Sequence, residues 1–159
     1  MKKLALTLLV LAVALAGTAL YLRLGAQLSV IGASVHGKSA ADDTDAWVSL
    51  YLELRDGTFQ GIVLNDAALE DASLYVFRTY SVSLRNLGML RAEWISMSVQ
   101  PEADDIIAYG ESRGFTLPPF KAGTISATLL ARADSGTARV ATIEYYVFGR
   151  KFAVDVIVE

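Results

Sequence analysis

The chain has 159 residues, of which 53% are hydrophobic, and a formal net charge of −3. It contains no cysteine and one histidine, which excludes disulfides, thiolate metal sites, a cysteine nucleophile and any site built from several histidines. Residues 25–159 carry 11 basic and 17 acidic side chains, a balance that argues against nucleic acid and against an anionic lipid surface as partners.

The first predicted element is a membrane helix. Leu4 to Leu22 is a run of nineteen residues without a charge. A helix of that length reaches about 28 Å, close to the roughly 30 Å of a bilayer's hydrocarbon core. Tyr21 and Arg23 have the character of an interfacial aromatic and cation that close the span. Because Lys2 and Lys3 precede the run, the positive-inside rule predicts a cytoplasmic N-terminus and a body outside the plasma membrane.

A cleaved secretory signal is the alternative to an uncleaved anchor. Both Ala14-Leu15-Ala16 and Ala16-Gly17-Thr18-Ala19 have the small residues of a cleavage site. We expect the uncleaved form, because the apolar run continues to Leu22. The chain then divides into an anchor, residues 1–24, and a β-sandwich ectodomain, residues 25–159, which has the size of one ordinary domain.

After the helix, apolar residues alternate with a period of two residues to the end of the chain, which predicts strands. The first predicted strand runs from Leu28 to Val35, is broken at Gly32 and is ended by Gly37. The segment Trp47 to Arg55 is predicted as the next strand, because alternation puts three leucines on one face: Leu50, Leu52 and Leu54.

Asp56-Gly57 is a residue pair favoured in two-residue hairpins, so Thr58 to Leu64 is predicted as the returning strand. The segment Asn65 to Ser73 fits a short helix capped by Asp66, and equally an irregular crossover. The following strand, Leu74 to Leu87, is predicted to point these side chains inward: Leu74, Val76, Tyr80, Val82 and Leu84.

The second half of the chain predicts four further strands, with a turn at Gly149-Arg150 between the last two: Ala92 to Val99, Gly123 to Arg132, Arg139 to Phe148 and Lys151 to Val158. Between them, Ile106 to Arg113 fits no single pattern, and Phe115 to Phe120 must be extended because each proline restricts the residue before it. Seven to nine short strands predict an all-β fold, an antiparallel immunoglobulin-like β-sandwich preceded by one N-terminal transmembrane helix.

Three segments between about Tyr80 and Val158 occur in an order typical of a known class of ectodomain: TYSVSLRNLGMLRAEWISMSV, FTLPPFKAGTISATLLA and ARVATIEYYVFGRKFAVDVIV. In this order the chain resembles bacterial immunoglobulin-like ectodomains of the adhesion-related (CARDB) and late-embryogenesis-abundant kinds. The resemblance implies an extracytoplasmic domain that binds, spaces or presents. It departs from immunoglobulins proper because paired cysteines are absent and Trp94 does not correspond to their core tryptophan.

Few residues are candidates for chemistry. A histidine-dependent triad would have to use His36, and no Gly-x-Ser-x-Gly motif supplies its nucleophile. Two acidic clusters, Asp42-Asp43-Thr44-Asp45 and Glu102-Ala103-Asp104-Asp105, offer oxygen ligands for calcium, but neither has the spacing of a calcium-binding loop. We therefore expect no catalytic residue, no metal site and no cofactor.

Aromatic residues are the remaining candidates for a binding surface. Tyr75 and Phe77 fall on the face of their predicted strand opposite Leu74 and Val76, so that face needs either a second packed layer or a partner. The candidate interface comprises Phe59, Tyr75, Phe77 and Arg78.

The sequence thus predicts a non-catalytic, single-pass membrane protein whose ectodomain is a binding or assembly module of the cell envelope. Its expected partners are the lipid bilayer, through residues 4–22, and another envelope protein. A pilin-like filament subunit is one alternative, although the glutamate usual early in the helix of such subunits is absent. A small secreted carbohydrate-binding or hydrolytic domain is the other, and it would need a cleft with converging acids or exposed aromatics.

Overall fold

The computed structural model describes residues 2–24, 27–65, 69–103, 105–109 and 114–159, and within the first helix the side chains of residue 4 and residues 6–20. Two helices, nine strands and one 3-10 turn lie in these ranges. In chain order the helices and strands are α1 (Lys2–Leu24), β1 (Leu28–Ser39), α2 (Thr44–Arg55), β2 (Ile62–Val63), β3 (Tyr75–Asn86), β4 (Ala92–Val99), β5 (Asp105–Tyr109), β6 (Phe115–Leu117), β7 (Ala122–Arg132), β8 (Arg139–Val147) and β9 (Arg150–Val158).

The strands form two antiparallel sheets. Five are ordered β1-β3-β7-β5-β2 and four are ordered β6-β4-β8-β9. The sheets pack against each other around an inter-sheet core, whose fully buried members include Tyr80, Leu84, Ile95, Leu129 and Ile143. The predicted antiparallel β-sandwich is confirmed, and its nine described strands are within the expected number.

Alternation in the second half of the chain predicts the strands well. β4 spans Ala92–Val99 as expected, and it buries Ile95 and Met97. The hairpin of β8 and β9 pairs Arg139 with Val158 and Val147 with Arg150. The turn is therefore Phe148-Gly149, one residue earlier than predicted.

The strand predicted at Trp47 to Arg55 is wrong, because this segment is helix α2. Leu50 is buried, Trp47 and Leu54 are half-buried, and Leu52 is 40% exposed. The buried positions follow helical spacing rather than alternation. Trp47 stacks on Tyr75 of β3 with ring centroids 5.4 Å apart, so α2 lies on the outer face of the five-stranded sheet.

Asp56-Gly57 ends this helix and is not a hairpin turn. Gly57 has a φ of +68°, and its N–H donates to the carbonyl of Leu54, while the N–H of Asp56 donates to that of Leu52. A glycine in the left-handed conformation is the common way to satisfy the last carbonyls of a helix. Of the returning strand predicted at Thr58 to Leu64, only Ile62–Val63 forms, and its partner is β5.

The bounds predicted for the first strand need correction, and the described residues distinguish the two alternatives for Asn65 to Ser73. β1 neither stops at Gly37 nor breaks at Gly32, because a bulge between Val30 and Gly32 shifts the register and pairing with β3 continues to Ser39. In Asn65 to Ser73 the described residues form no α-helix, and a 3-10 turn at Ala72–Leu74 is capped by the Asp71 carboxylate. The cap predicted at Asp66 lies outside the described residues.

Antiparallel pairing assigns the loops to two ends of the sandwich. The first residue of β1 pairs with the last of β3, Leu28 with Asn86, and Ala92 of β4 pairs with Leu117 of β6. One end therefore carries the start of β1, the loops 87–91 and 118–121, and the 148–149 turn, and we call it the α1 end. The opposite end carries the 40–43, 100–103 and 133–138 loops, and we call it the distal end.

Within the side chains that the structure describes, no helix is both long and apolar enough to cross a membrane.

The position of α2 predicts unequal effects for two leucines two residues apart. Leu50→Ala leaves a cavity under the helix and should lower the free energy of unfolding by about 2–3 kcal/mol. Leu52→Ala, at an exposed position of the same helix, should change it by less than about 1 kcal/mol. Chemical denaturation of both variants measures the difference. Equal losses would contradict the helix, because a strand places both side chains on one face.

Candidate functional site

The residues predicted as candidates for chemistry lie apart. His36 is exposed on β1 opposite Thr79. In the first acidic cluster, Asp43 forms a 2.7 Å ion pair with Lys38, and in the second, Glu102 and Asp105 bind Arg139. Asp104 lies outside the described residues. Among the side chains that the structure does describe, no group of three or more His, Asp or Glu residues is placed to hold a metal ion.

The candidate interface from the sequence is packed inside the protein. Tyr75, Phe77 and Arg78 are 3%, 6% and 3% exposed, and Phe59 is half-buried. Tyr75 and Phe77 lie under α2, with Phe59 packed against the same group of side chains. The second packed layer that the aromatic face of β3 requires is therefore a helix, so these four residues do not form an exposed patch.

Arg78 is buried because its guanidinium hydrogen-bonds to the β7–β8 loop at the distal end. Its Nη1 donates to Ser135 Oγ at 2.8 Å and to the carbonyl of Gly136, and its Nη2 donates to the carbonyl of Ser135 at 2.6 Å. Tyr80, two residues on along β3, donates its hydroxyl to the carbonyl of Thr137 at 2.9 Å. The loop's carbonyls are thus satisfied by side chains from the central strand.

Arg139 adds a buried ion pair to the same loop. Its Nε and Nη2 donate to the two carboxylate oxygens of Asp105 at 3.2 and 3.0 Å, in a bidentate arrangement. Glu102 approaches Nη1 at 3.0 Å, and the carbonyls of Gly136 and Ala138 accept from it as well. The side chains of Arg139 and Asp105 are 1% and 0% exposed, so this pair is part of the structural core.

Burial and charge shift two pKa values here in ways that keep the network intact. Burial alone would lower the pKa of Arg139, but the hydrogen bond and charge of Asp105 outweigh it and raise that pKa above its ordinary value. Burial also raises the pKa of Tyr80, against the opposing charges of Arg139 and Arg78. Both groups therefore hold their protons at neutral pH, as donors to the loop carbonyls must.

Several apolar side chains are exposed together at the α1 end. Leu87 and Met89 are 51% and 62% exposed in the 87–91 loop, Phe120 is 64% exposed, and Phe148 is 78% exposed at the 148–149 turn. A groove of about 440 Å³ opens between these loops. It is lined by Met89, Leu90, Arg91, Glu93, Pro119 and Phe148. Arg91 and Glu93 form an ion pair across its rim.

Three exposed aromatic residues at this end have a strained backbone conformation. Among the described residues other than glycine, positive φ occurs at Trp94, Phe120 and Phe148, with values of +52°, +61° and +51°. All three are more than 60% exposed. A bulky side chain in the left-handed region costs about 1–2 kcal/mol, and such strain is typical of functional surfaces. The exposed aromatics are thus kept where glycine or asparagine would be locally favoured, and we take this surface as the candidate functional site.

The conflict between residue type and backbone conformation is clearest at Phe148. Phe148 and Gly149 both have positive φ, as the two central residues of a type I′ hairpin turn require. Asn-Gly is the favoured pair for that turn, whereas phenylalanine is not. Alternation indicates a turn here, but a phenylalanine gives no signal for left-handed backbone, so nothing in the sequence marks this residue as part of a site.

Comparison with solved structures adds a distant likeness. No protein-family model matches the chain, and no curated protein matches it. The crystal structure of a FixG-related protein from Vibrio parahaemolyticus is similar with a TM-score of 0.38 and 17% identity. The likeness covers 62% of this chain and 88% of that chain. At that level of similarity it carries no argument about fold or function.

The buried ion pair predicts a large penalty for removing one partner. Asp105→Asn removes the buried counter-ion of Arg139 and leaves only the exposed Glu102 carboxylate beside its charge, and it should lower the free energy of unfolding by about 3–5 kcal/mol. Glu144→Gln is the matched control, because Glu144 forms an ion pair with Lys151 in which both side chains are at least 40% exposed. It should cost less than about 1 kcal/mol. Denaturant unfolding compares the two, and similar losses would contradict the structural role given to Asp105.

The strained turn predicts a substitution that stabilises. Phe148→Asn should raise the free energy of unfolding by about 1 kcal/mol, because asparagine tolerates the left-handed region and little burial is lost. Phe148→Ala also removes the ring but has no side-chain amide that could hydrogen-bond the local backbone, so most of the strain remains and stability should change little. Thermal unfolding of the two variants makes the measurement. A destabilised Phe148→Asn variant would show that Phe148 packs rather than protrudes.

Proposed function

We propose that the chain is a single-pass membrane protein whose β-sandwich, of the immunoglobulin-like kind, stands outside the membrane and acts without catalysis as a binding or assembly module of the cell envelope. The observation that carries this proposal is the surface of α1. Its described apolar side chains are exposed on every face, and Leu8, Leu9, Val10 and Leu11 are 57%, 61%, 61% and 55% exposed.

Four consecutive residues span most of the circumference of a helix, at about 100° per residue. A helix that is apolar all round needs an apolar environment, either a protein core or a bilayer. The 23 residues of α1 correspond to about 34 Å of helix. The uncharged run of the sequence, Leu4 to Leu22, extends beyond the side chains that the structure describes. Residence of this run in a bilayer accounts for its length and for its exposure.

The immunoglobulin-like assignment is supported by the placement of the three segments that carry the resemblance. The first forms most of β3 and β4, the second forms β6 and β7, and the third forms the β8–β9 hairpin. They contribute to both sheets and fill the inter-sheet core. We propose the adhesion-related and late-embryogenesis-abundant ectodomains as the relatives of this fold.

The pairing of polar groups with one another, which leaves an apolar groove, supports a binding role. Among the described residues, every buried side-chain nitrogen and oxygen has a hydrogen-bond partner. The groove at the α1 end is lined mainly by apolar side chains, and its Arg91 and Glu93 are engaged with each other. Such a surface suits contact with an apolar or amphipathic partner.

Membrane fractionation tests the proposal. The full-length protein should remain in the membrane pellet after a carbonate wash, with an intact mass that includes residues 4–22. Leu9→Lys combined with Val13→Lys puts two cations into the span, at about 2.5–3.5 kcal/mol each near its centre, and should release the protein. Val48→Lys combined with Tyr51→Lys, at exposed positions of α2, is the matched control and should leave it in the pellet.

Three results would contradict the anchor. Cleavage after Lys3 would favour a filament subunit, and cleavage near Ala16 or Ala19 with a soluble product would favour a secreted domain. Release of the intact unsubstituted protein by the wash would show that α1 does not hold it in the membrane.

A further inference from the structure

We propose that the α1 end of the sandwich docks onto the surface of the same membrane that holds α1, with exposed apolar loop tips entering the interface and basic side chains facing anionic headgroups. This inference rests on the proposed function, because it requires α1 to be in the bilayer. It names the partner of the candidate site: a lipid surface with negative charge.

Chain length places this end next to the membrane. Leu24 ends α1 and Leu28 begins β1, so four residue steps separate them. A fully extended chain spans at most about 3.6 Å per residue, so Leu28 is within about 14 Å of the end of the helix. The other loops of the α1 end share that constraint, because Leu28 pairs directly with Asn86 and the Leu87 N–H donates to the carbonyl of Gln27.

The apolar tips come from separate loops but lie at one end. Leu87 and Met89 are in the β3–β4 loop, Phe120 is in the β6–β7 turn and Phe148 is in the β8–β9 turn. Aromatic side chains favour the boundary between headgroups and acyl chains, and exposed leucine and methionine gain from the same environment. The side chains of Phe120 and Phe148 lie outside the inter-sheet core, 64% and 78% exposed, and are available for that contact.

Basic side chains surround the tips. Arg85, Lys121 and Arg150 are exposed at this end and form no ion pair with any described residue. Arg91 and Lys151 also lie here, but each forms an ion pair with a glutamate, Glu93 and Glu144, so the positive charge of this end comes from the three unpaired cations. A cluster of cations beside a membrane is attracted to anionic lipid over roughly a Debye length, about 8 Å at physiological salt.

The distal end has the opposite charge. Its exposed acidic side chains include Asp42, Asp45, Glu102, Asp134 and Glu159. The exposed cations there, Lys38 and Arg132, are already paired with Asp43 and Asp134. The net negative charge of residues 25–159, from which the sequence argued against an anionic lipid surface, is thus an average over two ends of different sign.

Because α1 tethers the sandwich to the membrane, weak contacts with lipid are sufficient to keep the α1 end docked. A short linker keeps the α1 end at millimolar or higher effective concentration near the headgroups, so no large buried area is needed. A membrane surface also accommodates tips from three loops without matching the shape of the groove, which a protein partner would have to do. The geometry therefore favours lipid over a second protein at this end.

Depth-dependent fluorescence quenching tests the inference on the full-length chain. Because the protein has no cysteine, Met89→Cys and Phe148→Cys each give a single labelling position, and Ile157→Cys, 67% exposed at the distal end, is the control. Each labelled protein is reconstituted into vesicles of phosphatidylcholine, alone or mixed with phosphatidylglycerol, that contain brominated acyl chains. Labels at positions 89 and 148 should be quenched several-fold more than the label at 157, and more strongly with phosphatidylglycerol.

A charge-reversal pair separates electrostatic docking from simple proximity. Lys121→Glu combined with Arg150→Glu should remove the part of the quenching that depends on phosphatidylglycerol. Lys38→Glu combined with Arg132→Glu, two exposed cations of the distal end, should leave it unchanged. Equal quenching in the two double variants would show that the cations of the α1 end do not attract anionic lipid.

Flotation of the same vesicles distinguishes the two proposals. Protein that fails to float with the lipid overturns both the anchor and the docking. Protein that floats while its labels at 89, 148 and 157 are quenched equally overturns the docking and leaves the anchor standing. Labels that become shielded only after envelope proteins are added, and not by lipid, would show that a protein occupies this end instead.

Discussion

Burial of β3 on both faces is the constraint on which the rest of the fold depends. Its even-numbered side chains, among them Tyr80 and Val82, enter the core between the sheets, while Tyr75 and Phe77 of its first half face outward. A strand with two apolar faces needs a layer on each side. The second sheet provides one layer and α2 provides the other, so α2 is as much a part of the core as any strand.

How much of the fold can be predicted from sequence depends on whether the apolar residues of a segment fit only one periodicity or both the helical and the strand periodicity. β4 and the β8–β9 hairpin alternate without ambiguity, and their bounds follow from the residues alone. The segment containing Trp47, Leu50, Leu52 and Leu54 fits both an alternating and a helical pattern, and Asp56-Gly57 serves a hairpin or a helix end equally well. What decides between them is the uncovered face of β3, about 25 residues further along the chain.

The candidate site is harder to predict for a different reason. The sequence shows that β3 has aromatic residues on one face, but it does not show which element packs on that face. Tyr75 and Phe77 therefore look like an exposed interface until α2 is known to lie over them. Conversely, Met89, Phe120 and Phe148 lie in separate loops that only the antiparallel pairing brings to one end. The left-handed backbone of Phe120 and Phe148 cannot be read from their residue types. The separation of a basic end from an acidic end cannot be read from the net charge either, because a sum of charges contains no positions.

The order of strands in the five-stranded sheet bears on how the domain is made. β1 closes on β3, and β3 closes on β7, whose residues come more than 80 positions after the start of β1. Pairings of such long range form slowly, since the ends of a long loop must meet before any contact stabilises them. On a ribosome or in a translocation channel, β1 therefore waits unpaired until β3 has emerged, and β3 keeps one edge open until β7 follows, when most of the chain is outside. This exposed edge is then a substrate for chaperones during biogenesis, before it is part of a finished sheet.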